Sequence, residues 1–360
     1  MIRLFRATNF RCLESAELQL AADFNLIYGA NASGKTSLLE ALAYLGRGKS
    51  FRGASTPNLI QHGKEEFVLF GQVDCLTRTR NLGVRNSRAG LEVRVDGDSE
   101  GGVAALAEAL PLQVIDPEVH NLVAGGPERR RRFIDWIAFH VEQDHLSSWR
   151  KFRRALKQRN AALKAKSGAA TIRSWNAEFL ELGAALDESR QRALGYALDS
   201  LQAFGQTLLG TNLGFDYQKG WSKDKTMEQA LEEGLERDLQ LGATQHGPHR
   251  ADLKISYDEK QARRLVSRGQ QKLLASAMIL AATETAQTAL ERPLLLILDD
   301  PVAELDTDAL VRLMGSVAGL GCQVVATSLE AEALSAPPGA AMFHVEHGVL
   351  STVQAAAKEG

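Results

Sequence analysis

What this sequence has little of narrows the field first. Only three cysteines occur in 360 residues, Cys12, Cys75 and Cys322. Their scatter excludes a disulfide framework and any metal-ligand spacing, and the simplest reading is reduced, buried thiols. The eight histidines show no metal-ligand pattern either. No run approaches the roughly 20 uncharged apolar residues that a membrane span needs. The opening MIRLFRATNF alternates like a strand and carries no apolar signal core. These absences point to a cytosolic protein without a membrane partner. Net charge is only -2, so the whole-chain balance announces no nucleic-acid partner. Internal repeats and low-complexity tracts are also missing.

What is present is more specific. Ile2–Ala7 alternates, Ala16–Leu20 follows, and Phe24–Tyr28 reads as a buried strand. After a Gly-rich turn, Thr36–Leu45 places Leu38, Leu39, Leu42 and Leu45 on one helical stripe. Glu65–Cys75 and Gly90–Val95 read as strands, and the short run Pro111–Ile115 stops at Asp116-Pro117. From Arg129 to about Leu209 the pattern is helical, with Trp175, Phe179, Leu182 and Leu186, then Leu194, Leu198, Leu201 and Phe204, three or four apart. A loop is expected at Lys166–Ala170, a helix through Met227–Leu239, a strand at Ala251–Tyr257, and an apolar helix from Gln270 to about Leu290. The aliphatic run Leu294–Leu298 fits a strand covered on both faces, with Cys322–Thr327 as its neighbour. The order is sheet, helical insert, sheet.

Gly29-Ala30-Asn31-Ala32-Ser33-Gly34-Lys35-Thr36 fits GxxxxGK[ST] between a buried strand and an amphipathic helix. In that context the backbone amides and helix N-terminus of Gly29–Ser37 cradle phosphates, Lys35 reaches the terminal ones, and the Thr36 hydroxyl ligates magnesium. A Gly-rich turn that merely resembles such a loop is the bland alternative. Asp299-Asp300 closes the aliphatic run, and two adjacent carboxylates there are costly unless they hold a cation or a water. Asp299 is assigned to the Mg2+ shell, and Asp300 to orienting or deprotonating the attacking water. Ser267-Arg268-Gly269-Gln270 before the apolar helix is, taken alone, an ordinary helix cap. In this chain order, with Glu304-Leu305-Asp306 after the acidic pair, it resembles the signature motif and D-loop of ABC-type ATPases.

The Asn9-Phe10-Arg11 opening is similar to SMC-type heads, and three stretches resemble the RecF family. They are Pro117-Glu118 through Phe133-Ile134-Asp135, Gly46–Arg52 with Lys49-Ser50-Phe51-Arg52, and Thr244–Asp252 with Gly247-Pro248-His249-Arg250. Lys157-Gln158-Arg159-Asn160 fits as well. The resemblance spans Ile2 to about Ser328. It implies an α/β, SMC-like ABC-type ATPase head with a helical second lobe. Lobe I is expected at 1–115 and 291–360, and lobe II at 116–290. The resemblance also implies ATP and Mg2+ as cofactors, Arg11 at the nucleotide, and signature residues Ser267–Gln270 closing on the ATP of a second protomer. It further implies ATP-driven dimerisation on double-stranded or gapped DNA, a nucleoid-associated location, and partnership with RecR and, through it, RecO.

The chain departs from that pattern at Ala32, where the family more often has Gly, and at Pro301, which removes an amide beside the acidic pair. Thr327-Ser328 stands where many ABC ATPases keep a histidine. Slow, DNA-stimulated hydrolysis is the expectation; the alternative is a nucleotide-gated scaffold with negligible turnover. For DNA, 13 Lys/Arg against 4 Asp/Glu lie between Glu128 and Arg173. Arg129, Arg130, Arg150, Arg153, Arg154, Lys157 and Arg159 are the candidate contacts, since basic side chains bind phosphates without reading sequence. The competing reading is a solvated helical face. The aromatics among them, from Phe133 to Phe152, are expected in the core rather than as stacking platforms. His249 and Arg250 remain open between a partner or nucleotide contact and a structural turn.

Overall fold

The alternation at the start of the chain becomes a strand, β1 (Ile2–Phe10), with Ile2, Phe5, Ala7 and Phe10 turned inward. The computed structural model describes residues 1–75, 78–258, 260–262, 266–303, 305–334 and 336–353. Two units emerge, Met1–Val119 with Glu291–Gly360, and His120–Leu290.

The first unit holds two sheets. In one, β1 pairs with β2 (Leu13–Gln19) and β4 (Glu66–Asp74), and β5 (Thr79–Ser87) and β6 (Gly90–Val95) extend it, all antiparallel in the order β2-β1-β4-β5-β6. The other contains β3 (Phe24–Tyr28), β7 (Leu112–Ile115), β11 (Leu295–Leu298), β12 (Gln323–Ser328), β13 (Ala341–Glu346) and β14 (Val349–Val353), ordered β14-β13-β3-β12-β11-β7. All but β14 run parallel. The all-aliphatic β11 sits between β12 and β7, which explains its lack of alternation. Buried Gln323 ties the sheets: its Oε1 accepts from the Ile2 amide at 2.8 Å, and its Nε2 donates to the Ile2 and Ala21 carbonyls at 2.8 Å each. The helix Lys35–Arg47 buries every residue from Leu38 to Gly46. Its Tyr44 meets Phe10 and Phe67 edge-on and accepts a 2.7 Å hydrogen bond from Asn86.

The second unit is built on helices Pro127–Val141, His145–Lys164, Asn176–Leu209 and Arg268–Leu290, with a small sheet of β8 (Leu213–Gln218), β9 (Asp252–Tyr257) and β10 (Lys260–Gln261). The helix expected through Met227–Leu239 is two, Met227–Glu233 and Leu235–Leu241, parted at Gly234, where a Cβ would stand 2.9 Å from the Ala230 carbonyl oxygen. In Asn176–Leu209 the inward stripe runs Leu186, Arg190, Ala193, Ala197, Leu201, Gly205 and Leu208. Leu198, expected on it, faces out. Arg268–Leu290 is long and apolar enough to cross a membrane by length and composition, and 72% of its apolar window is buried in the protein. It passes that test as a core helix. Cys322 is buried, Cys75 half-buried and Cys12 exposed, which corrects the expectation of three buried thiols.

Candidate active site

Strand β3 delivers the chain into a loop that only glycine could begin. Gly29 has φ +150°, and a Cβ there would stand 2.3 Å from the Val345 carbonyl oxygen of β13. Gly34, at φ +115°, opens the helix Lys35–Arg47 without a side-chain cap. The helix therefore presents unsatisfied amides and its positive end to the loop. Ala32 adopts φ 60°, a left-handed backbone that costs an alanine about 1 kcal/mol and glycine nothing. The loop is braced from behind by a 2.8 Å bond from the Gly348 amide to the Ser33 carbonyl. Ala30, Asn31 and Ala32 are exposed at the tip, and the enclosed Ser33 hydroxyl lacks a partner among the described residues. Ser37 Oγ receives the exposed Cys12 thiol at 3.5 Å.

Lys35 Nζ folds back onto the Gly29 and Ala30 carbonyls at 2.6 and 2.9 Å. Burial lowers its pKa, against the pull of Asp300 and Asp299. Because β12 lies between β3 and β11, Thr327 stands between the phosphate loop and the acidic pair. Its hydroxyl donates to Asp299 Oδ1 at 3.0 Å and accepts the Asp300 amide at 2.9 Å. Thr36 donates to the same Asp299 oxygen at 3.1 Å. Burial raises the Asp299 pKa; the two hydroxyls oppose it, Asp300 adds to it, and Arg52 works against it. Asp300 itself is exposed, with left-handed φ 48°, ahead of buried Pro301.

A hydroxyl beside a carboxylate is an oxygen donor set suited to Mg2+. Among the described residues no group of three or more His, Cys, Asp or Glu could hold a metal by itself. Phosphate oxygens and waters would therefore complete the shell, which is how Mg2+ usually binds.

Two participants escaped the sequence reading. Asp116 follows β7, next to β11, where the Asp299 amide donates to the Ile115 carbonyl at 2.9 Å. Burial first, and Asp299 second, raise the Asp116 pKa to about 6, with Arg47 opposing. The available signal was a short apolar strand ending in Asp, the same form as Leu295–Asp299. The other is Glu40, fully buried on the phosphate-loop helix, whose Oε1 accepts from Arg11 Nη2 at 2.9 Å and whose Oε2 accepts from Arg11 Nε. Arg11, assigned to the nucleotide, is thus held by a carboxylate.

Comparison with known proteins agrees with this geometry. The RecF/RecN/SMC N-terminal domain family matches residues 1–350. The DNA replication and repair protein RecF of Yersinia pseudotuberculosis is 41% identical over 346 residues, 95% of this chain and 96% of that one. The chain belongs to the RecF family. RecF of Escherichia coli is 38% identical over 347 residues, covering 95% and 97%. A solved recombination mediator RecF with ATP, of the RecFOR pathway, superposes with TM-score 0.88 at 25% identity, covering 98% and 97%. The Smc head of Pyrococcus furiosus, at TM-score 0.59 and 15% identity over 98% and 95%, shares the fold. The architecture is that of an SMC-like ABC-type ATPase head.

The remaining RecF-like stretches divide into exposed and buried. Ser267 and Gln270 form a reciprocal cap on Arg268–Leu290: Ser267 N donates to Gln270 Oε1 at 2.9 Å, and Gln270 N to Ser267 Oγ at 3.3 Å. Ser267, Arg268 and Gln270 are exposed and Gly269 is half-buried. Asp306 caps Thr307–Gly319 through the Ala309 amide at 2.7 Å, and Glu304 lies outside the described residues. Arg129, Arg150, Arg153, Arg154 and Lys157 are exposed, and Arg153 stacks on the half-buried Trp149.

Two of the DNA assignments are corrected. Arg159 is fully buried and donates to Asp238 at 2.8 Å and Thr244 at 2.6 Å. Arg130 is buried against both oxygens of Asp252 and the Val123 and Gly125 carbonyls. Both are engaged inside the fold and present no charge to a phosphate. His249 Nε2–H donates to the Thr244 carbonyl oxygen at 2.9 Å, and burial lowers its pKa to about 4, so it is a neutral part of a turn. Arg250 is exposed and reaches Gln245.

Proposed function

We propose that this RecF-family chain is an ATP-dependent DNA-binding protein of recombinational repair and replication restart. It dimerises with ATP on double-stranded or gapped DNA and leaves on hydrolysis. The observation that carries the reading is the convergence of Thr36 and Thr327 on Asp299 beside Lys35.

Each residue has a task. The free amides after Gly34 and the Lys35 ammonium take the phosphates, with Lys35 exchanging the Gly29 and Ala30 carbonyls for phosphate oxygens. Thr36 and Asp299 hold Mg2+, which when bound neutralises charge developing on the phosphate oxygens. Asp300, aimed by its left-handed backbone and by its amide bond to Thr327, orients and deprotonates the attacking water. A hydroxyl residue in place of a basic imidazole beside that water supports slow turnover, stimulated by DNA. Exposed Ser267–Gln270 of a second copy, with Glu304 and Asp306 in the D-loop, completes the site. DNA meets the exposed Arg129, Arg150, Arg153, Arg154 and Lys157. RecR, with RecO, is the protein partner in loading recombinase, and the nucleoid within the cytoplasm is the place of action.

Light scattering tests this with wild type, Lys35→Ala and Asp300→Asn, with and without Mg-ATP and a gapped duplex. ATP should double the mass of wild type, Lys35→Ala should stay monomeric, and Asp300→Asn should remain dimeric on DNA. If ATP binds and mass never changes, the composite site at Ser267–Gln270 is wrong, and a scaffold without turnover becomes the better description.

A further inference from the structure

A carboxylate buried to zero exposure in the middle of a packed helix needs a reason. Glu40 lies on the phosphate-loop helix between Leu39 and Ala41, both fully buried. An apolar residue would fill the position without the desolvation cost, and a buried ion pair is no more stabilising than good apolar packing. Buried polar groups instead fix geometry, because each partner must sit where its hydrogen bond can be made.

Glu40 fixes two segments at once. The first is the β1–β2 turn, where Arg11 forms its two-pronged contact with the carboxylate. Arg11 holds a left-handed φ of 53°, and its amide donates to the Leu59 carbonyl at 2.7 Å. Backbone and side chain are therefore both committed. The second is the loop after the helix. Ser50 Oγ donates to Glu40 Oε1 and accepts the Arg52 and Ala54 amides at 3.1 and 3.2 Å. The chain of contacts runs from the helix carboxylate through the Ser50 hydroxyl into the backbone that carries Arg52. The Arg52 side chain is exposed on the loop that leaves the phosphate-loop helix.

We propose that Glu40 is a positioning residue of the nucleotide site, holding Arg11 directly and the Arg52 loop through Ser50. The proposal rests on the ATP-binding reading above. It separates two functions on one carboxylate. The Arg11 side chain meets Glu40 directly, whereas the Ser50 hydroxyl links Glu40 to the Arg52 loop. Removing the Ser50 hydroxyl therefore frees the loop and leaves the Arg11 pair intact.

Ser50→Ala, Ser50→Thr and Glu40→Gln in the full chain provide the test, with melting temperature, affinity for a fluorescent ATP analogue, and turnover on gapped duplex as readouts. Ser50→Ala should lower turnover about tenfold, with nucleotide affinity within about twofold of wild type and melting unchanged, and Ser50→Thr should restore it. Glu40→Gln should lower both affinity and turnover; if it fails to fold, the Ser50 pair decides. Wild-type turnover in Ser50→Ala overturns the proposal. So does a loss that follows the melting temperature and is not restored by threonine. Failure of wild type to bind the analogue at all would instead remove the ATP reading, and this inference with it.

Discussion

The nucleotide site of the first unit and three buried ion pairs of the second hold charge in opposite ways. In the second unit, three interior arginines meet carboxylates: Arg159 with Asp238, Arg190 with Asp135, Arg130 with Asp252. Burial pushes the Asp135 carboxyl up, but His145 and Arg190 outweigh it, so it ends below its ordinary value. At the nucleotide site, Asp299 is hydrogen-bonded to two hydroxyls and Lys35 to two carbonyls. There burial wins, raising Asp299 and Asp116 and lowering Lys35. The three pairs are neutralised from within. The nucleotide site holds an anion site and a cation site side by side, both short of their counter-charges. Completed pairs lock a fold; incomplete ones mark where a ligand supplies the missing charge.

The largest effect that would break this comparison lies in the second unit. Arg159→Ala strands a buried Asp238, and urea unfolding should register a loss of about 3–5 kcal/mol. A loss below about 1 kcal/mol would mean that Arg159 is no internal counter-charge. Lys35→Ala should do the reverse, weakening ATP-analogue binding on the order of 100-fold, the scale of a lost contact to a charged group, while melting stays unchanged.

Asp116 sharpens the point through pH. Its folded pKa of about 6 lies above the ordinary aspartate value of 3.8, so the folded state holds a proton that the unfolded chain releases. The stability tied to that proton is complete below the unfolded pKa and is lost as pH rises through the folded one. Asp116→Asn should therefore match wild type near pH 4 and gain on it toward pH 7, by about 2 kcal/mol. A flat difference between pH 4 and 7 would refute the raised carboxyl. The smallest effect belongs to the surface. Reversing Arg153, Arg154 and Lys157 should weaken duplex binding about tenfold and flatten its salt dependence. Unfolding free energy should move by less than about 0.5 kcal/mol.

The sequence exposes what is local. Gly29–Thr36 and Leu294–Asp300 are contiguous, and their chemistry needs no knowledge of the fold. Thr327 was visible as a hydroxyl residue at a telling position, although its bond to Asp299 depends on β12 lying between β3 and β11. Asp116 was hidden for the same reason, since only the pairing of β7 with β11 brings it to the site. Whether an arginine faces DNA or a buried aspartate could not be read from a basic run. Arg159 finds Asp238 79 residues away, and Arg130 finds Asp252 122 away. Leu198 fell on the wrong face because Ala197, a small residue, turned out to occupy the inward stripe. β8 and the β13–β14 hairpin had too little pattern of their own and take their form from the strands beside them.

The contact between Gly29 and Val345 bears on when the chain becomes competent. The mould for the phosphates is cast early, at residues 29–36, but one wall of it is β13, which joins β3 in the sheet. The brace on Ser33 arrives later still, from Gly348. During synthesis both phosphate motifs would have left the ribosome before the strand that shapes the first of them. A growing chain thus carries the letters of a nucleotide site well before it can hold a nucleotide, and only copies that have reached β13 and Gly348 can respond to ATP.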